Sequence, residues 1–237
     1  MRRFFLIPAI AMALAAPAAA QVTVGTSAPD LGIGPLGVDS QNAGFIPTAI
    51  AQTFFAPPGA SYLQSFTFFL SSFANGGPLK LNASVYAFSV DHLIGAALFT
   101  SPFVNGSGNE AGFDSRTVGG DPAAPLNILL SPGATYMLVL SAFDGNALTP
   151  DPSTVLVGAT ADDTYAGGSL FVSLASDKAS LFGDGAFISD ASFGSDVAFS
   201  ATFTNAALVA TPEPATWMLM ATGLVGVGVF TKRRRRR

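Results

Sequence analysis

Very few side chains of this 237-residue sequence could carry out covalent chemistry, because it contains one histidine, His92, and no cysteine. A serine-histidine-aspartate site would have to use His92, but no G-x-S-x-G motif supplies a serine nucleophile. One histidine without cysteine cannot complete a zinc shell. Glu110 is the only glutamate before residue 213, so hydrolysis of a glycoside by a glutamate pair is excluded, and no aspartate pair stands out. The sequence therefore predicts a protein that is not an enzyme.

Aspartates are concentrated in the loops of the C-terminal half of the chain. Calcium binds six to eight oxygens from carboxylates and carbonyls, and loops at the end of a β-sandwich could supply them. None of these loops has the EF-hand spacing, and aspartate is a favoured loop residue even without an ion. We therefore expect solvated turn aspartates and no cofactor, with calcium as the alternative. The candidate calcium ligands are Asp184, Asp190 and Asp196.

The charged residues are unevenly distributed along the chain. Eight of the 11 basic residues lie at the two ends, whereas the stretch between them has fourteen acidic and three basic residues, or about eleven net negative charges. Such a body repels polyanions. The sequence also lacks the glycine-rich motifs that bind nucleotide phosphates. Nucleic acid is therefore excluded as a partner.

The body, residues 21–206, shows apolar residues with a period of two and no helical period. The clearest strand covers residues 197–204, where every second residue from Val197 to Phe203 is apolar. The segment Ser131 to Ala134 predicts a type II turn, with Gly133 at the position that needs a positive φ. Many short antiparallel strands without helices predict an all-β fold, an antiparallel two-sheet sandwich that is jelly-roll-like. Further candidate strands cover residues 51–55, 63–70, 79–88, 96–100, 126–130, 134–143, 153–159 and 169–174.

Residues 1–20 have the three parts of a secretory signal peptide. Two arginines precede a short apolar run, which ends in the small residues of an A-x-A site. The apolar run is too short to span a bilayer comfortably. We therefore expect export and cleavage by signal peptidase between Ala20 and Gln21, with Ala18 and Ala20 as the small residues that the peptidase recognises.

The C-terminal end has three parts in a fixed order. A linker, residues 207–214, ends in Pro212, Glu213 and Pro214. The 17 uncharged residues 215–231 would cover ~26 Å as a helix, which is just enough for a thin bilayer. Trp217 lies at one edge of this segment, as an interfacial aromatic residue would. The tail 232–237 is predicted to stay in the cytoplasm because it is basic; it consists of Lys232, Arg233, Arg234, Arg235, Arg236 and Arg237.

This order resembles the PEP-CTERM sorting signal of Gram-negative bacteria. The resemblance implies that a membrane processing enzyme of the exosortase type recognises Pro212, Glu213 and Pro214, while the transmembrane helix and the basic tail retain the chain in the membrane. It also implies an inner-membrane-anchored precursor with its body in the periplasm, which is then released or attached at the cell surface. The body, with segments such as LQSFTFFL and LLSPGATYMLVLSA, looks like the β-sandwich bodies that often precede such signals.

These observations predict an exported, non-enzymatic protein of the cell surface or extracellular matrix, associated with extracellular polysaccharide. Two alternatives remain open. One is a calcium-dependent carbohydrate-binding module, which metal-dependent stability would reveal. The other is a hydrolase that acts on the polysaccharide, which would need two converging carboxylates in a groove.

Overall fold

The computed structural model shows an all-β protein, and the described part of the chain contains no α-helix. The structure describes residues 20–26, 28–37, 46–72, 80–101, 104–105, 112–121, 123–144, 147–148, 154–189 and 196–208. Every strand pairing in these ranges is antiparallel. Two sheets account for all but one short hairpin, so the predicted antiparallel two-sheet architecture is confirmed.

The first sheet has the order β1-β16-β4-β13-β15, with β2 also paired to β13 and with β8 and β9 paired to β4. The last strand of the body is therefore not at an edge, because it lies between the first strand and β4. The strands of this sheet are β1 (Gln21–Gly25), β2 (Leu31–Gly37), β4 (Tyr62–Ser72), β8 (Asp114–Gly119), β9 (Ile128–Leu129), β13 (Thr154–Thr160), β15 (Asp196–Val197) and β16 (Phe199–Thr204).

The second sheet has the order β14-β3-β10-β5-β6, with β7 paired to β5. Its strands are β3 (Ala49–Phe55), β5 (Lys80–Ser89), β6 (His92–Thr100), β7 (Val104–Asn105), β10 (Thr135–Ser141) and β14 (Leu170–Ser173). The two short strands β11 (Phe143–Asp144) and β12 (Ala147–Leu148) form a separate hairpin.

The main core lies between the inner faces of the two sheets. Strand β4 contributes Phe66, Phe68 and Leu70, and β16 contributes Phe199 and Phe203, all at most 2% exposed. A β-bulge in the β4–β16 pairing skips Gln64, so Leu63 points inward together with Phe66 although the two are three residues apart. The alternation predicted for β4 and β16 is therefore confirmed, with one interruption.

The second sheet is covered on both faces, which a two-layer sandwich does not predict. Its outer face packs under the segment 175–188, which includes the 3₁₀ helix Ala179–Phe182 and buries Leu181 and Phe187. Burial on both faces explains why β10 is a continuous apolar run rather than an alternating one. Period-two reasoning could not find this cover, because the covering segment is irregular.

The apolar strands and the turn at residues 131–134 were predicted from the sequence, but five strands were not. Gly133 has a φ of 75° and Ala134 N donates to the Ser131 carbonyl, as the predicted turn requires. The missed strands are β1, β2, β7, β8 and β12. Strand β2, LGIGPLG, is rich in residues that weaken strands, and it forms because β13 offers it a paired edge.

No helix in the described ranges is long and apolar enough to cross a bilayer. Two predicted segments lie outside the described residues. One is the signal peptide up to residue 19, and the other runs from residue 209 of the linker through the helix and the tail.

Candidate functional site

A groove of about 540 Å³ lies beside the second sheet, and none of the described residues that line it is charged. Phe55 is 43% exposed and Val90 is 85% exposed in the described chain. The rings of Phe88 and Phe171 meet edge to face with centroids 5.1 Å apart. Exposed apolar side chains grouped in this way are typical of a binding surface. The hydroxyl-bearing residues of the lining are Thr53, Ser89, Thr135 and Ser169.

One wall of the groove is the loop 166–169, which packs directly on the backbone of β3. A Cβ on Gly168 would lie 1.8 Å from the Thr53 carbonyl oxygen, so only glycine permits this approach. Ser169 N donates to Thr53 Oγ1 over 2.8 Å, and Thr53 N donates to the Ser169 carbonyl over 3.0 Å. The wall is therefore fixed to β3 by both the backbone and the hydroxyl of Thr53.

The carboxylate of Asp196 holds the beginning of the same loop from inside the protein. Its Oδ2 accepts hydrogen bonds from Thr164 N and Tyr165 N, and its Oδ1 accepts one from Gln52 Nε2 over 2.9 Å. Gln52 Oε1 in turn accepts a bond of 2.7 Å from Val197 N. Gln52 and Asp196 are both fully buried. This cluster, the Gln52–Asp196 network, joins the inner face of β3 to β15 and to the groove wall.

The titration of Asp196 reflects this enclosure. Loss of water around the carboxylate raises its pKa, and this effect exceeds the lowering by the bonds from Tyr165 and Gln52. The nearby charge of Asp163 raises the pKa further. The carboxylate is therefore a costly group to bury, and its three hydrogen bonds offset that cost.

The opposite wall is the tight hairpin between β5 and β6, in which Ser89 pairs with His92. Val90 has a φ of 48°, a left-handed conformation that is unfavourable for a β-branched residue. Asp91 fixes the hairpin, because its Oδ2 accepts from Gly185 N over 2.9 Å and its carbonyl accepts from Phe187 N over 3.1 Å. An apolar, strained and exposed residue at the lip of a groove is typical of a functional position.

Asp91, His92 and Asp184 form a small cluster behind this hairpin. Asp91 Oδ1 lies 2.9 Å and Asp184 Oδ1 3.6 Å from His92 Nδ1. One ligand atom from each residue lies within 4.8 Å of the others, so the three could together contact a metal ion. The hydrogen bonds from His92 and Gly185 lower the pKa of Asp91. Asp184 is 96% exposed, so the cluster is open to solvent.

The structure places the predicted calcium ligands in different surroundings. Asp196 is buried and accepts three protein hydrogen bonds, whereas Asp184 belongs to the exposed cluster with His92. Asp190 lies outside the described residues. The predicted trio therefore stays a prediction, and Asp196 gains a structural role that the sequence did not indicate.

The groove itself was missed by the sequence analysis. Its residues come from four strands and two loops, so no linear spacing could group them. The local signal that could have pointed to it is the pair Gly167-Gly168 after Tyr165, because adjacent glycines in a loop permit close approach of two backbones.

The predicted signal-peptide cleavage site lies immediately before the first strand. Ala20 is exposed, and Gln21 is the first residue of β1, where it pairs with Thr204. Cleavage between Ala20 and Gln21 would therefore leave β1 complete. Ala18 lies outside the described residues, as do Trp217 and the basic tail, Lys232, Arg233, Arg234, Arg235, Arg236 and Arg237.

Comparison with known proteins identifies the C-terminal end. Residues 210–236 match the PEP-CTERM protein-sorting motif. This range includes Pro212, Glu213 and Pro214, and the resemblance inferred from the sequence is confirmed. No curated protein and no solved structure matches the chain.

Proposed function

We propose that this PEP-CTERM protein, which its sorting signal marks as exported and sorted by an exosortase, is a non-enzymatic surface or matrix protein that binds extracellular polysaccharide in the groove. In this proposal, signal peptidase removes residues 1–20 and the segment 215–231 anchors the precursor in the inner membrane with its body in the periplasm. Processing then delivers the body to the cell surface or to the extracellular matrix.

The observation that supports polysaccharide binding is the lining of the groove. Sugar rings pack their C–H faces on aromatic side chains, and their hydroxyls exchange hydrogen bonds with protein hydroxyls and backbone. Phe55 and Phe171 offer the rings, and Ser89, Thr135 and Ser169 offer hydroxyls. The groove is open to solvent at Phe55 and Val90, which suits a chain-like ligand.

The charge of the protein favours a neutral polysaccharide over an acidic one. The lining contains no charged residue within the described ranges, and the body carries about eleven net negative charges. An acidic polysaccharide would meet repulsion that weakens only at high salt. A neutral glucan or galactomannan would not.

The test is binding of the processed protein, recovered from cells, to soluble neutral glucan, galactomannan and acidic alginate. Phe55→Ala should weaken binding of a neutral polysaccharide by at least about tenfold, because it removes an exposed aromatic contact. Leu129→Ala is the matched control, since Leu129 is 64% exposed but does not line the groove. Equal affinity of the wild type and Phe55→Ala for every polysaccharide tested would contradict the proposal.

A second candidate, a calcium-dependent carbohydrate-binding module, is favoured by the cluster of Asp91, His92 and Asp184. Calcium prefers oxygen ligands, and the histidine nitrogen fits that preference poorly. We expect polysaccharide binding to persist when a chelator replaces calcium. The calcium-dependent module would be established instead if the wild type lost binding in the chelator and regained it with calcium, while Asp91→Asn did not regain it.

A further inference from the structure

Side-chain contacts, rather than strand pairing, hold Ala206 and Leu208 against the folded body. After β16 ends at Thr204, the Asn127 side chain binds the backbone of Leu208 on both sides. Leu208 N donates to Asn127 Oδ1 over 2.7 Å, and Asn127 Nδ2 donates to the Leu208 carbonyl over 2.8 Å. The side chain of Asn127 therefore takes the place of a partner strand for this residue.

The direction of each further hydrogen bond follows from the Leu208 backbone. A backbone N–H only donates and a carbonyl only accepts, so the amide of Asn127 has a single possible orientation. Asn127 Oδ1 then also accepts from Gln64 Nε2 over 2.9 Å, and the same Nε2 donates to Thr204 Oγ1 over 2.9 Å. The Thr204 hydroxyl is left to donate to the Ala206 carbonyl, over 2.6 Å.

These contacts exist only in the folded body. Gln64 lies on β4, Asn127 precedes β9 and Thr204 ends β16, so three segments distant in sequence must come together. Gln64 and Thr204 are at most 3% exposed, which protects their bonds from competition with water. Asn127 has a φ of 50°, a conformation that asparagine tolerates better than most residues. We call Gln64, Asn127 and Thr204 the exit bracket.

We propose that the exit bracket sets the reach of the sorting motif from the folded body and thereby limits access of the processing enzyme to the membrane-anchored precursor. Pro212 lies four positions after Leu208, which is a span of at most ~14 Å when fully extended. Without the bracket, the span would run from Thr204 over eight residues, or at most ~29 Å. The bracket thus halves the greatest distance that the motif can lie from the body.

A short stalk matters because the enzyme must approach a motif that has the body close on one side and the membrane on the other. A tethered substrate reacts slowly when its tether is almost too short to reach the active site of the enzyme. It reacts faster when the tether is long enough. Gln64, Asn127 and Thr204 act here as positioning residues, because their contacts hold the chain at Ala206 and Leu208.

The experiment is pulse-chase labelling of the full-length precursor in a Gram-negative host that carries the matching exosortase. Asn127→Asp keeps the size of the side chain but cannot donate to the Leu208 carbonyl, so the bracket opens. We expect the half-time of the anchored precursor to fall by roughly threefold. Thr204→Val, which cannot bind Ala206, should act in the same direction and more weakly.

Two controls separate reach from stability. Asn82→Asp removes a comparable bond from an asparagine amide to the Phe143 carbonyl, away from the chain exit, and should leave processing unchanged. A four-residue Gly-Ser insertion after Ala210 lengthens the stalk while the bracket stays intact. It should accelerate processing as Asn127→Asp does, without any change in the melting temperature of the processed protein.

The half-times of the three variants test the role of the bracket. Faster processing in both Asn127→Asp and the insertion variant supports it. Wild-type half-times in both variants would overturn it, as would acceleration in Asn127→Asp alone or equal acceleration in Asn82→Asp, since those results would point to loss of stability. None of these results depends on polysaccharide binding, so this proposal and the proposed function can fail separately.

Discussion

Two buried networks, each built around a glutamine amide, serve different purposes in this molecule. The Gln52–Asp196 network lies between the two sheets, contains a carboxylate and uses both ends of the Gln52 amide. The exit bracket is neutral and uses only Nε2 of Gln64, whose buried Oε1 has no hydrogen-bond partner in the described part of the chain. The first joins the sheets and the groove wall, whereas the second holds only Ala206 and Leu208.

Burial alone does not measure how much a polar group contributes to the stability of the fold. Each partner of Gln64 keeps a backbone bond of its own, Asn127 with Leu208 and Thr204 with Ala206. The partners of Gln52 have fewer substitutes, because Asp196 Oδ1 and Val197 N face the interior. Breaking the Gln52–Asp196 network should therefore destabilise the protein more than breaking the exit bracket.

The largest effect is expected from Asp196→Ala. The substitution leaves Thr164 N and Tyr165 N without their acceptor, and it leaves Gln52 Nε2 with only its longer bond to the Thr53 carbonyl. An unpaired donor costs about 1–3 kcal/mol when it is shielded from water. We expect a loss of about 3–5 kcal/mol in the free energy of unfolding, measured by urea denaturation of the processed protein. Asp163→Ala is the control, because Asp163 is exposed beside the same loop. A loss below about 1 kcal/mol for Asp196→Ala would show that the network is dispensable.

A direct comparison of the two glutamines should give an intermediate effect. Gln52→Leu leaves the Asp196 carboxylate short of one donor and Val197 N without an acceptor, so it should cost about 2–3 kcal/mol. Gln64→Leu removes the two bonds that Nε2 donates, but it also removes the unpartnered Oε1. It should therefore cost about 1 kcal/mol or less. Both variants are measured by the same denaturation experiment. The contrast between the networks would be wrong if Gln64→Leu were the more destabilising change.

The fold was largely predictable from the sequence, and the networks were not. Alternating apolar residues in β4 and β16 predict strands because one face of each is buried, and Pro132-Gly133 predicts its turn because glycine accepts the positive φ. Gln52, by contrast, reads as a polar residue on the outward face of a strand, and Asp196 reads as a loop aspartate. Their roles depend on pairing across 144 positions of sequence, which no local pattern contains.

The C-terminal signal was more predictable than the groove for the same reason. Its three parts follow one another in the chain, and the order of charge and hydropathy is itself the recognisable feature. The groove brings together Thr53, Phe88 and Ser169 from separate strands and loops. A sequence shows such a site only after the fold is known.

The smallest effect is expected in the pH dependence, where the two kinds of carboxylate differ in sign. Burial raises the pKa of Asp196, so the folded state binds its proton more tightly than the unfolded chain does. The free energy of unfolding should therefore fall as pH rises from the unfolded pKa, about 3.9, through the raised folded value. Asp91 has a lowered pKa because of His92 and Gly185, so its contribution is present above the unfolded pKa and is lost as pH falls through the folded value.

Melting temperatures from pH 2.5 to 7 would separate these contributions. Asp196→Asn, which cannot titrate, should flatten the decline in stability on the alkaline side of pH 4, and Asp91→Asn should flatten the loss on the acid side. Gln64→Leu should shift the whole curve without changing its shape, because the exit bracket has no titrating group among Gln64, Asn127 and Thr204. A change of slope in Gln64→Leu would mean that the two networks are electrostatically coupled and that the distinction between a charged and a neutral network does not hold.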